Sequence, residues 1–261
     1  MLNKMVLGLT TAALALAVLP AESQAQKWGS LSGKFVVDGK APAQKKLKVT
    51  KDNAEFGNEV IDDQLRIDDK GGVADVVVYV RSKIDAKAIH ADYDKVPAMV
   101  GMDNKGGRFI PHVVTVWTKK QTLVMGNPDK VAHNSNIQPA GDPSGTGNPL
   151  LPPGSMHNFK FGRQQNVPAP VACNIHPWMK GYVLPRDNPY MTVSAEDGTF
   201  EIKNLPVGEH EFQLWHDPKN LDIDGAKNGR VKVTIKEGKN QLPMADKNGV
   251  VKVPASTLEG K

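Results

Sequence analysis

The chain is written in short β-branched runs closed off by turn residues, and that pattern excludes a helical architecture. Leu31–Gly39 (LSGKFVVDG) ends in Asp-Gly, and Val73–Arg81 (VADVVVYVR) follows Gly71-Gly72. His112–Trp117 (HVVTVW) and Gln121–Met125 (QTLVM) flank Thr118-Lys119-Lys120, a gap of hairpin length. Phe200–Lys203 and Glu209–Trp215 flank the turn Asn204–Gly208, and Arg230–Lys236 (RVKVTIK) alternates charged with β-branched residues. Runs of this length bounded by Gly, Pro, Asn and Asp predict strands. The 24 glycines and 19 prolines supply the punctuation, and regular short strands predict an all-β fold of packed sandwiches. Only Ile84–Tyr93 suggests a short helix. The 261 residues fit one large or two modest domains.

Residues 1–25 predict a secretory signal. Lys4 supplies the positive start, Met5 to Leu19 the apolar stretch, and Pro20 breaks it. Ser23-Gln24-Ala25 places small residues where signal peptidase cuts, so cleavage is expected after Ala25. An apolar run of about 15 residues is short for a membrane span, so the mature chain is not expected to cross a membrane. Export predicts a periplasmic or secreted protein in an oxidising compartment. The formal charge of +5 is scattered rather than clustered, so nucleic acid is not an expected partner.

A single cysteine in an exported chain excludes an internal disulfide framework and asks for a reason. It sits in Val171-Ala172-Cys173-Asn174-Ile175-His176-Pro177-Trp178-Met179. Thiolate, imidazole and thioether within seven residues select copper among common metals. A trigonal His₂Cys set with a long axial Met needs one more histidine. The best candidate is His133, upstream in Val131-Ala132-His133-Asn134. It lies in Asn127–Gly162, the longest irregular stretch, which also carries His157. Cys173 is expected to close one strand and Tyr182-Val183 to open the next, while Pro177 stiffens the loop between them. Taken singly, a cysteine, a methionine or a histidine is usually core or surface filling. A Cys–His hydrolase dyad is the competing chemistry, but no oxyanion-type element stands nearby.

Cys-x-x-His-x-x-Met with an intervening Pro-aromatic pair resembles the short copper loop of amicyanin-like members of the cupredoxin family. Upstream, Phe109–Val116, Gln121-Thr122-Leu123, Asn127-Pro128-Asp129 and His133-Asn134 follow the family's order of strand, turn, strand and first ligand, and Phe159–Phe161 resembles the strand leading toward the Cys173 loop. The resemblance covers residues 97–186. It implies a Greek-key β-sandwich binding one type 1 copper ion. His133, Cys173 and His176 would be the equatorial ligands and Met179 the weak axial one. Asn134 would tie the two ligand loops together. His176 would lie near the surface within an apolar patch, with Pro177 and Trp178 as neighbours, and form the electron-entry surface.

Asp197–Ile202 and Leu205–Phe212 resemble the carboxypeptidase-regulatory-like, transthyretin-like β-sandwich, whose opening strand matches Leu31–Gly39. A discontinuous flanking domain of residues 27–96 and 187–257, with the copper domain inserted, is therefore expected. The whole chain also resembles secreted methylamine-utilisation-protein-like chains. In those, cysteines near Phe56 and Gly107 are implied as a pair, and this sequence has neither.

The implied function is one-electron transfer through Cu(I)/Cu(II) with an unidentified redox partner protein, and no substrate turnover. The alternatives are a periplasmic copper-binding or delivery protein, and a structural β-sandwich with a vestigial copper domain. His210 and His216 mimic a zinc motif, but six residues along a strand separate them by about 20 Å. They are expected as edge residues with Trp215 in the core. His112 is expected either near the copper patch or, by preference, on a strand face, and His90 carries no constellation. Met99, Met102, Met125 and Met156 are expected in the core or on an apolar patch.

Overall fold

A computed structural model describes residues 26–258, so the expected export signal, residues 1–25, lies outside the described residues. The protein is all-β, and among the described residues helix is limited to single turns such as Asn53–Phe56. No helix among the described residues is long and apolar enough to cross a membrane.

Four sheets carry the architecture. In the first, Trp28–Asp38 pairs antiparallel with Thr199–Pro206 and parallel with Gly238–Asn240 and Val250–Pro254. In the second, Val77–Val80 and Arg230–Ile235 flank Gly208–His216, and Met191–Val193 adds to Val77–Val80. Leu31, Phe35 and Phe200 from the first sheet meet Val78, Val80, Phe212 and Leu214 from the second in one buried cluster. Phe35 and Phe200 stack at 5.0 Å between ring centroids. In Arg230–Ile235 every second residue is buried, the alternation of a strand with one face in a core.

The other two sheets are built from residues 99–186. Thr122–Gly126 runs parallel to Met99–Lys105 and antiparallel to Met156–Phe159. Lys180–Arg186 runs parallel to Val113–Trp117 and antiparallel to Ala169–Ala172. Met102, Phe109, Leu123 and Phe159 pack against Val114, Val116, Val171 and Val183, and this cluster also contains Cys173 and Met179. The gap 118–120 therefore does not make the expected hairpin. Main-chain donors of Lys120 and Gln121 close onto the Trp117 oxygen, and the chain crosses to the facing sheet. The reason is that both apolar strands bury one face in the same core from opposite sides.

Between the two sandwiches, Val77, Tyr79 and Trp215 pack on Val113 and Leu184. Val77–Val80 is thus buried on both faces, which explains its unbroken apolar run. Arg186 reaches across this seam: its guanidinium donates to the main-chain oxygens of Val80 at 2.9 Å and Gln165 at 2.8 Å. The expected short helix in 84–93 is realised as two 3₁₀ turns, Ala86–Ala88 and Ala91–Lys95. His210 and His216 are buried rather than exposed at an edge: His210 pairs with Val233 and its Nε2 lies 2.7 Å from the Pro206 oxygen, and His216 pairs with Lys219. Met102 and Met125 are core, whereas Met99 and Met156 are exposed.

Candidate metal centre

The site begins with a hairpin. Pairing of Ala172 with Lys180 leaves residues 173–179 as its loop. The loop is folded back on itself: Met179 N donates to His176 O at 2.9 Å, and Cys173 N to Met179 O at 3.4 Å. Pro177 follows His176 with a fixed φ and no donor of its own. Asn136–Ile137 pairs with Val171–Ala172, which carries the preceding strand His133–Asn134 alongside the loop.

Asn134 joins the two segments. Its Oδ1 accepts from Asn174 N at 2.8 Å, from Ile175 N at 3.1 Å and from the Cys173 thiol at 3.5 Å. Its amide nitrogen donates in turn to Asn148. The irregular stretch around His133 is held by buried side chains. Asn127 donates to the main-chain oxygens of Val131 and Leu151, and Asp142 accepts from Gly162 and Arg163 N–H. Buried loop backbone is satisfied in this way without a long ladder.

The consequence is convergence. Cys173 Sγ lies 3.8 Å from His133 Nδ1 and 3.7 Å from His176 Nδ1, and the two Nδ1 atoms are 3.0 Å apart. His133, Cys173 and His176 form a buried cluster of ligand atoms close enough to share one ion. Met179 is buried at the loop's end in the same apolar cluster as Cys173. His157, by contrast, is exposed on Met156–Phe159.

Each imidazole hands its outer nitrogen to a carboxylate. His133 Nε2 lies 3.0 Å from Asp129 Oδ2, and His176 Nε2 lies 2.8 Å from Asp52 Oδ2. A carboxylate there calls for Nε2–H, so both Nδ1 atoms face inward as lone pairs beside the sulfur. Two lone pairs 3.0 Å apart repel unless a cation or a proton lies between them. Metal–ligand bonds of about 2.0–2.3 Å in a trigonal arrangement put donors about 3.5–3.9 Å apart, near the two N–S spacings. The donor set therefore fits a soft, imidazole-accepting ion such as copper. Burial, and then the neighbouring His176, hold the His133 imidazole below the usual histidine range, with Asp129 pulling the other way.

The surroundings of His176 differ from expectation. The resemblance implies a place near the surface, in an apolar patch with Pro177 and Trp178. Pro177 is exposed and Trp178 half-buried, but His176 has no exposed surface. The turn Asn53–Phe56, carried by the hairpin of Lys46–Lys48 with Glu59–Ile61, lies over it. Phe56 meets the His176 ring edge-to-face at 5.4 Å and tilts onto His133 at 5.9 Å. Gly107 receives both aromatics: its oxygen accepts from Trp178 Nε1 at 3.0 Å, and a Cβ there would stand 3.3 Å from the Phe56 ring.

Asp52, Phe56 and Asp129 escaped the sequence reading. Asp129 left a trace in its four-residue spacing from His133, whereas Asp52 stands 124 residues from His176 and left none. His112 is not on a strand face. It precedes Val113–Trp117, is buried, and pairs with Asp217 at 2.9 Å. With Tyr182, Trp178 and Met179 it lines a cavity of about 500 Å³ beside the Cys173 loop.

No protein-family model matches this chain, and no curated protein matches it in sequence. Parts of solved structures do resemble it. The copper-containing nitrite reductase from Thermus scotoductus SA-01 is 22% identical over 34% of this chain, with a TM-score of 0.29. The likeness spans only 23% of that reductase. The purple cupredoxin from Nitrosopumilus maritimus is 23% identical over 33% of this chain and 98% of its own, at 0.25. Amicyanin from Paracoccus versutus is 17% identical over 42% of this chain and 97% of its own, at 0.29. These are partial likenesses in fold, and the chemistry of the site stands on its own side chains.

Proposed function

We propose that this protein is an exported one-electron carrier built around a type 1 copper site. The reading is carried by one observation: two imidazole Nδ1 atoms and one thiol sulfur lie within 3.0–3.8 Å of each other in a buried pocket. Copper, when bound there, supplies Cu(I)/Cu(II) chemistry. His133, Cys173 and His176 would hold it, with Met179 as a weak fourth donor.

The rest of the work falls to the chain. Asn134 and the folded-back loop fix the ligand spacing before any ion arrives. A cage held in this way changes little between oxidation states, which favours rapid electron exchange. The apolar cluster around Cys173 and Met179 excludes water and raises the weight of every nearby charge. Pro177 and Trp178 keep surface access and would face a redox partner protein. We read residues 27–96 with 187–257 as a flanking sandwich and 97–186 as the copper unit, supported by strand pairing within each range. We read residues 1–25 as an export signal, which places the carrier in the periplasm or outside the cell.

Reconstitution of the purified protein with Cu(II), followed by absorption and EPR spectroscopy, tests the reading. Intense thiolate-to-copper absorption that disappears in Cys173→Ser, with redox cycling that retains the metal, is expected. A colourless product overturns the reading in favour of a vestigial copper fold. Metal loss on reduction overturns it in favour of delivery.

A further inference from the structure

The edge of His176 that faces away from Cys173 is closed by residues belonging to neither metal loop. Asp52 begins the turn Asn53–Phe56 with φ 56° and ψ 38°, a left-handed conformation that Asp tolerates better than most residues. Its main-chain oxygen accepts from Glu55 N at 2.9 Å and Phe56 N at 3.2 Å. Asn53 braces the turn from inside, donating through its side-chain amide to the oxygens of Val49 and Gly57. These bonds give Asp52 and Phe56 one fixed aim. The carboxylate takes His176 Nε2 at 2.8 Å, and the Phe56 ring covers the imidazole beside it.

We infer that Asp52 is a positioning residue for the metal centre: it holds His176 in the Nε2–H form and lends negative charge to a ligating imidazole from the flanking segment. The inference rests on the proposed copper reading for its effect on the metal, but not for its effect on the ring. A carboxylate on the outer nitrogen makes an imidazole a stronger donor. A stronger donor favours the more highly charged Cu(II) over Cu(I), so Asp52 lowers the reduction potential. Asp129 does the same for His133, but from inside the core, where Gly106 N and Gly107 N also hold it at 2.7 Å and 3.3 Å. Asp52 is the adjustable member of the pair. It is part-exposed, and its turn comes from a separate hairpin. The same contact withdraws the His176 edge from the surface, leaving Trp178 as the half-exposed ring against His176, 5.1 Å away.

Two variants and one control separate the possibilities. Asp52→Asn keeps the acceptor and the backbone preference but removes the charge. Asp52→Gly removes the side chain and also suits a positive φ. Glu55→Gln removes a neighbouring exposed charge that does not touch His176. In copper-loaded protein, Asp52→Asn is expected to weaken Cu(II) binding about tenfold relative to Cu(I), raising the midpoint potential by about 59 mV, while Glu55→Gln leaves it unchanged. In metal-free protein, ¹⁵N NMR of the His176 ring is expected to show the Nε2–H tautomer. Asp52→Gly should convert it to a mixture with faster N–H exchange. An unmoved potential in Asp52→Asn, or an equal shift in Glu55→Gln, overturns the tuning role. An unchanged tautomer in Asp52→Gly overturns the positioning role. If wild type takes up no copper, the carrier reading falls, and the metal-free NMR still decides whether Asp52 holds the ring.

Discussion

The side-chain oxygen of Asn134 accepts hydrogen bonds from the main chain of Asn174 at 2.8 Å and of Ile175 at 3.1 Å, and so fastens a strand to a loop forty residues away. Together with the pairing of Asn136–Ile137 with Val171–Ala172, this amide sets how far His133 stands from Cys173. Asn134→Ala leaves two loop N–H groups without their acceptor, at a cost of about 1–3 kcal/mol. Copper affinity should fall about 10- to 100-fold. Urea unfolding and a competition titration with a chelator measure the two effects. Wild-type copper affinity in Asn134→Ala would show that the loops are held by something else.

A pH effect is expected from the flanking sandwich. Burial lowers the His216 imidazole from 6.5 to about 4, with His112 adding to the shift and Asp75 and Asp217 opposing it. Its Nε2 is buried without a hydrogen-bond partner among the described residues. Between these values the unfolded chain binds a proton that the folded chain refuses, so stability rises with pH. The contribution is fully present above about pH 6.5 and is lost as the pH falls toward 4. Its size is on the order of 3 kcal/mol. Unfolding free energies measured from pH 7 to pH 4 should fall less steeply in His216→Asn than in wild type. Equal slopes would remove His216 from the account.

Gly198 offers a test of how far the flanking sandwich and the metal centre depend on each other. Its φ is +84°, and a Cβ there would stand 2.2 Å from the main-chain oxygen of Phe35. That position lies in the turn feeding Thr199–Pro206, whose glycine also donates its N–H to Ala195 O. Gly198→Ala should cost about 2 kcal/mol or more through backbone strain and displacement of the Phe35 strand. Thermal unfolding reads the loss. The absorption of the copper-loaded variant, recorded below its unfolding midpoint, should match wild type, since Cys173 and its neighbours pack in a different cluster. A changed spectrum would mean that strain in the flanking core reaches the ligands.

What was legible in the sequence was local. The β-branched runs around Val77–Val80 and Arg230–Ile235 declare their strands because side chains alternate every two residues. Cys173, His176 and Met179 declare a shared loop because seven residues cannot carry them far apart. The choice of His133 needed chemistry as well as spacing, since the three-residue set lacked a second imidazole. Other matters depend on which distant segments the sheets bring together. Thr118-Lys119-Lys120 reads as a hairpin, but its two strands join opposing sheets that face one core. His210 and His216 read as edge residues, but the folded chain buries both. The burial of His176 beneath Asp52 and Phe56 was decided by tertiary structure alone. A carboxylate is recognised as a histidine's partner by its distance in space, and chain separation says nothing about that distance once a sheet has folded the chain back on itself.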